Sequence, residues 1–237
     1  MNKKISILTL VTMSMFSSLS AQSKQLQQHQ NSVSKIKSQT EFEKKNSKIR
    51  LGVKAGVNFS NIYEKETGFN YGNKTGIHIG GLVQIPISNK LFLQPELLYS
   101  MQGSIATIPE ESTELKMKMN YLTIPVIVKY NIFEKFNIEA GPQIGFLLSS
   151  NITANYKDED AIFDDGLTLN DKEYKNKIDF SFGLGASYEI NKNIFVGIRY
   201  NVGISNVYKK GMEIIDDDGR YNTSRNGVLQ ISAGYKF

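Results

Sequence analysis

Charged side chains recur at alternate positions through much of this 237-residue chain, and their spacing sets the chemistry open to them. Arg50, Lys54, Glu96, Lys129, Glu139, Asp179, Glu189, Arg199 and Lys236 each stand in a run whose neighbouring residues are mostly apolar. Successive side chains of a strand point to opposite faces, so these charges share one face and the apolar residues the other. Charges of both signs gathered on one face can neutralise one another as buried pairs, or they can line a narrow path for ions. Catalysis would need a nucleophile with a base beside it, and the supply is thin. Of the two histidines, His29 lies in a polar stretch and His78 on the polar face of a run, and no Ser-His-acid set follows from those positions. His78 is read as a filler of a polar interior, and the chain as no enzyme. The absence of cysteine removes disulfides, thiolate metal sites, thiol nucleophiles and lipid attachment at an N-terminal cysteine. Two acidic segments, Asp158, Glu159, Asp160, Asp164 and Asp165 in one and Asp216, Asp217 and Asp218 in the other, carry the oxygen ligands that calcium or magnesium prefer. Neither has the full spacing of a calcium loop, so both read as solvated loops; Asp158, Asp160, Asp216 and Asp218 are the weak metal candidates, and no cofactor is expected.

The elements that must hold these residues follow from the period. From Lys48 onward apolar and polar residues alternate with period two, in about eight runs: 48–60, 75–86, 91–103, 115–130, 136–149, 177–190, 193–208 and 227–237. Connections of two to five residues (87–90, 131–135, 191–192) alternate with long polar ones (61–74, 104–114, 150–176, 209–226). Tight turns at one end and long loops at the other are the pattern of an antiparallel up-and-down barrel in an outer membrane, short turns toward the periplasm.

Alternation alone would also suit a soluble barrel with its apolar face inside. Glycine separates the two cases. Gly52, Gly56, Gly76, Gly80, Gly141, Gly145, Gly183, Gly185, Gly197, Gly203 and Gly234 fall on the polar face, against Gly81, Gly103 and Gly227 on the apolar one. Glycine weakens a solvated strand, whereas a cramped barrel interior needs small residues beside large charged ones. The polar face is therefore placed inside, with outer-membrane lipid against the other. Aromatic residues near both ends of the apolar face, Tyr130, Phe136, Tyr188, Tyr235 and Phe237 at one and Phe59, Tyr99, Phe146 and Phe180 at the other, form two girdles. An eight-stranded interior is filled by its own side chains, so the lumen charges are expected to pair rather than to form a pore.

Some residues strain this register. Pro95, Pro125 and Pro142 lie inside strands and should each mark a bulge or a lost ladder bond. Phe92, Leu98, Leu147 and Phe195 would point inward. Leu115, Met117 and Met119 fall out of phase with Leu122 to Val128, which a bulge near Asn120 would reconcile.

Residues 1–21 read as a signal peptide, with Lys3 and Lys4, an apolar run from Ile5 to Phe16, and small residues up to Ala21. That run is shorter than the roughly 20 residues a membrane helix needs. Residues 22–47, rich in Gln, Lys, Ser and Asn, form a polar periplasmic linker, flexible or partly helical, and residues 48–237 the barrel. The overall charge of +5 is no mark of a nucleic-acid partner: residues 1–48 carry a net +6, and the remainder a net −1.

Three stretches carry a resemblance: Gly52-Val-Lys-Ala-Gly-Val-Asn-Phe-Ser-Asn61, Tyr121-Leu-Thr-Ile-Pro-Val-Ile-Val-Lys-Tyr130 and Gly234-Tyr-Lys-Phe237. They resemble strands of the small outer-membrane β-barrel domain proteins known as PorT-like or porin-family, similar in size to OmpA and OmpX barrels. The resemblance spans roughly Ile49 to Phe237 and implies architecture and location more than activity. Phe237, ending an alternating last strand, resembles the signal read by barrel-assembly machinery. The expected function is a structural or interaction module that meets a protein partner through its long loops or its linker. A small-solute porin, or an accessory component of a protein-secretion complex, are the alternatives.

Overall fold

The computed structural model describes residues 24–25, 27–28, 30–34, 48–63, 70–108, 113–156, 167–209 and 223–237. Two separate units result, residues 1–48 and 49–237. In the first, the described residues between 24 and 34 are helical, with Ser32 and Ser34 hydroxyls donating to the carbonyls of Gln28 and Asn31.

The second unit is all-β. Its strands are β1 (Arg50–Tyr63), β2 (Asn70–Pro86), β3 (Leu91–Ile108), β4 (Thr113–Phe133), β5 (Phe136–Tyr156), β6 (Leu167–Asn170), β7 (Ile178–Glu189), β8 (Ile194–Gly203) and β9 (Arg225–Lys236). Every pairing is antiparallel, and neighbours in sequence pair in turn around the ring from β1 to β5 and β7 to β9. β1 then pairs with β9 from Gly52↔Lys236 to Tyr63↔Arg225, closing an eight-stranded barrel with β6 added on the upper edge of β5. Closure leaves no membrane-level edge unpaired, the condition for a sheet to cross lipid.

The faces are as the glycine argument places them. Leu51, Val53, Ile77, Ile79, Leu97, Ile138, Leu184 and Ile198 are exposed on the outer wall, while Lys54, Glu96, Lys129, Glu139 and Arg199 are buried within. On β4 the apolar wall runs over eleven residues, from Ile132 to Leu122, about 25 Å of height for strands tilted near 40°. All nine aromatic residues of the two girdles are exposed on that wall.

Three expectations change in detail. Three of the four long connections are shorter than alternation suggested, because β2 to β5 continue past the lipid boundary, where both faces are hydrated or packed on the barrel's own interior and the period no longer distinguishes them. β4 and β5 reach 21 residues each, against 10 to 12 for β7, β8 and β9, so the wall from β2 to β5 stands about 20 Å taller. The seventh stretch, 193–208, stops as a strand at Gly203. The parity of β4 does not slip at Asn120. Met117, Met119, Tyr121 and Thr123 all point inward, and the extra residue is Leu148 of β5, between the pairs Asn120↔Ser149 and Tyr121↔Leu147.

The in-strand prolines cause gaps rather than bulges. Pairing lapses for two positions beside each, between Leu82↔Glu96 and Ile85↔Leu93, between Pro95↔Val126 and Leu98↔Thr123, and between Pro125↔Gln143 and Val128↔Ala140, then resumes in unchanged register. A missing N–H removes a ladder bond without inserting a residue.

Candidate functional site

The lumen is the site the sequence points to, and it is built in layers. Nearest the short turns, Lys236 Nζ meets the Glu189 carboxylate at 2.6 Å and donates to Gln84 Oε1 at 3.0 Å. The inward Phe195 is not a register error. Its ring lies 5.1 Å from Lys129 Nζ and 5.2 Å from Lys236 Nζ, a cation–π separator between two like charges. Arg50 donates instead to backbone carbonyls, those of Lys236 at 3.2 Å and Phe237 at 3.5 Å, fastening the strands where the ring closes.

Above this lies the charge cluster. Arg199 bridges Glu96 (3.0 and 2.8 Å) and Glu139 (3.2 Å); Lys54 holds Glu96 at 3.0 Å and Lys129 holds Glu139 at 3.3 Å. All five are at most 6% exposed. Gly185 pairs with Glu139 on one side and Arg199 on the other, and a Cβ there would meet Arg199 Cβ at 3.1 Å. The missing side chain lets the two partners join across it.

The same device builds a constellation that the sequence did not disclose. His78, Gly56 and Ser232 form one inward row across β2, β1 and β9. A Cβ on Gly56 would stand 2.7 Å from His78 Cε1, so the bare glycine is what lets the ring reach β9. His78 Nδ1 lies 2.8 Å from Asn58 Oδ1 and Nε2 lies 2.9 Å from Ser232 Oγ. Asn58 Nδ2 donates to Ser100 Oγ and to the Met101 carbonyl, which leaves its Oδ1 as acceptor, so Nδ1 carries the proton and the Ser232 hydroxyl donates to Nε2. These are the donors and acceptors of a serine nucleophile with its base and orienting group. Ser232, His78 and Asn58 are 7, 1 and 0% exposed, however, and further amides (Gln230, Asn201) close around them. The three side chains satisfy one another and are buried among the described residues.

Toward the long-loop end the lumen changes character. Ile62, Ala106, Met117, Met119, Tyr121, Leu147 and Val207 pack into an apolar plug, with Leu115, Ile152 and Tyr208 against it. This accounts for the out-of-phase Leu115, Met117 and Met119 and for the inward Leu147. The segments after β6 and β8 cover the plug: Lys175 bridges to Tyr208, Asn176 Nδ2 donates to the carbonyls of Asn206 (2.8 Å) and Tyr208 (2.9 Å), and the Lys209 N–H donates to the Tyr174 carbonyl at 3.0 Å. Lys175 is sealed in, with its ammonium on the Asp171 carboxylate and on Ser150 Oγ at 3.0 Å. Burial pulls the Lys175 pKa below its ordinary value, and Asp171 offsets part of that. Asp179 takes no ion pair among the described residues; the Ser205 hydroxyl donates to it at 2.7 Å.

Of the predicted lumen charges, the structure thus brings Lys54, Glu96, Lys129, Glu139 and Arg199 into one cluster and Glu189 onto Lys236, and leaves Arg50 and Asp179 outside both. Asp158, Asp160, Asp216 and Asp218 lie outside the described residues. Among those described, no group of three or more His, Cys, Asp or Glu could hold a metal.

Known proteins bear on this arrangement as follows. Solved structures similar to the chain include Ail of Yersinia pestis (14% identity, 79% of this chain and 98% of that one, TM-score 0.46), Neisserial surface protein A (14%, 79% and 97%, 0.44) and the outer membrane protease OmpT from Escherichia coli (13%, 80% and 95%, 0.35). Such identities carry no activity from one protein to another. No curated protein matches the chain. The sequence profile of the outer membrane protein β-barrel domain matches residues 21–209, most of the chain, and the protein belongs to that family of bacterial outer-membrane barrels.

Proposed function

We propose that the protein is an interaction module of the outer membrane, anchored by a barrel with a closed lumen and acting through the tall part of its wall. The observation that carries this reading is the contrast between the two halves of the molecule: ion pairs, amides and an apolar plug occupy the interior from end to end, while β2 to β6 rise above the lipid boundary. The elevated sheet offers exposed apolar groups beyond the membrane, Leu169 on β6 and Tyr174 just after it, and a rigid sheet presents such groups at little entropic cost. A small-solute porin would need a water-filled path, which the plug opposes. Export by a signal cut near Ala21, a linker over 22–47, and insertion guided by the terminal Phe237 belong to the same reading.

Photo-crosslinking in intact cells tests it. A photoreactive residue at Leu169 or Lys116 is expected to yield protein adducts, and one at Ile138, on the lipid wall, none. Absence of protein adducts from both elevated positions, in cells where the barrel is folded, would overturn the interaction reading.

A further inference from the structure

The short-turn end carries a feature that neither the lumen nor the elevated sheet uses. Phe133 pairs with Phe136 across the β4–β5 hairpin, and Phe136 pairs with Tyr188 of β7. Directly paired residues of antiparallel strands share a face. Phe136 stands on the lipid-facing parity of β5 with Ile138, so all three rings lie on the outer wall. Phe133 gets there through a register shift: the pairs Asn131↔Asn137 and Phe133↔Phe136 leave Ile132 as an extra residue, and the bulge turns Phe133 outward. The three rings, with Glu134 and Lys135, line an open depression of about 600 Å³. Phe133 is 70% exposed in it, an apolar surface that water would not favour.

Lysines outnumber acids at this rim. Each of the three short turns bears one exposed lysine, Lys90, Lys135 and Lys192, and the exposed acid among the described turn residues is Glu134. Lys135 and Lys192 belong to adjoining turns, because the Glu189 N–H donates to the Lys135 carbonyl at 2.8 Å and Ile190 begins the next turn. One ammonium, that of Lys135, therefore lines the aromatic depression, and a second lysine, Lys192, stands on the turn that follows Tyr188, at the level where the apolar wall ends.

We infer that this rim is a binding site for one anionic glycerophospholipid of the inner leaflet, acyl chain against Phe133, Phe136 and Tyr188 and phosphate on Lys135 and Lys192. An apolar hollow continuous with the lipid wall suits an acyl chain, and lysines at the interface suit a phosphate; a zwitterionic head gives the same hollow without the net charge. The assignment does not depend on what the elevated sheet binds.

Native mass spectrometry of the refolded full chain, incubated with phosphatidylglycerol or with phosphatidylcholine, reads the selectivity. Wild-type protein is expected to retain one phosphatidylglycerol in preference to phosphatidylcholine by roughly 5- to 30-fold, the range that one to two lysines supply. Lys135→Gln with Lys192→Gln should bring that ratio near one, with heat-modifiable migration unchanged, while Lys90→Gln keeps it. Phe133→Ser should lower retention of both lipids together. Unchanged selectivity in the double variant, or equal loss in Lys90→Gln, would overturn the site and reduce the rim to a diffuse charge.

Discussion

The charge balance of the lumen turns on Glu96. Its carboxylate accepts from Lys54 (3.0 Å), twice from Arg199 (3.0 and 2.8 Å) and from Gln94 (2.7 Å). Glu96→Gln keeps the shape and removes the charge. Glutamine offers one acceptor oxygen where the carboxylate offered two, so its amide nitrogen faces two donors, either Lys54 Nζ and Arg199 Nη1 or Arg199 Nη2 and Gln94 Nε2, and those two bonds are lost at about 1 kcal/mol or more each. The central cluster also goes from three cations against two carboxylates to three against one, and a buried charge left without compensation brings the loss to about 3–5 kcal/mol. Arg199→Met is the counter-perturbation: it deletes a larger group, yet leaves Lys54 with Glu96 and Lys129 with Glu139 as two complete pairs, so its cost should stay near ~2 kcal/mol. The double variant should recover part of the Glu96→Gln loss. Urea unfolding in phosphatidylcholine vesicles measures this, read by far-UV circular dichroism and gel migration because the chain has no tryptophan. Equal destabilisation by the two single substitutions, or a Glu96→Gln barrel as stable as wild type, would refute the argument that the lumen is a dry, charge-paired core.

Further outcomes follow from single positions. Gly80→Ala places a methyl 2.0 Å from the Leu97 carbonyl oxygen and should destabilise the barrel by ~2 kcal/mol or more, whereas Gly81→Ala, whose nearest neighbour is 3.8 Å away on the lipid face, should stay within about 0.5 kcal/mol in the same unfolding assay. Asp171→Asn leaves Lys175 buried without its carboxylate. Because the folded-state pKa of Lys175 lies below its ordinary 10.5, the unfolded chain binds the extra proton in that window and stability rises with pH through it. Amide protection over 171–176 and 206–209 should accordingly fall in the variant at neutral pH and recover as pH rises through the lowered lysine value; a pH-independent loss would contradict this. A fluorophosphonate probe should leave Ser232 unlabelled in the folded barrel, and labelling abolished by His78→Gln would show that the sealed relay is accessible after all.

Architecture was legible in the sequence because a membrane barrel imposes two chemically distinct faces, and glycines such as Gly52, Gly80 and Gly141 crowd onto the inner one. Connections were less so. Above the lipid boundary Gly72 to Lys74 or Ser150 to Ala154 meet water on one face and the barrel's own interior on the other, so period two fades although the ladder continues. Met117 and Met119 misled for a related reason, since apolar side chains that plug the lumen look like lipid-facing residues out of phase. Partner choice was the least legible feature. Charge balance on the inner face suggested pairing, but which lysine holds which carboxylate depends on strand register and on the bare glycines between them. His78 and Ser232, 154 residues apart, meet only because β1 lies between their strands with Gly56 at the crossing.

Single-channel conductance of the refolded full chain in a planar bilayer tests the central claim, a closed lumen, most directly. A barrel shown to be folded by its heat-modifiable migration should give no stepwise current at neutral pH and moderate salt. Stable, reproducible steps from the same preparation would mean that water threads the charge cluster and the apolar plug, and would make the protein a pore.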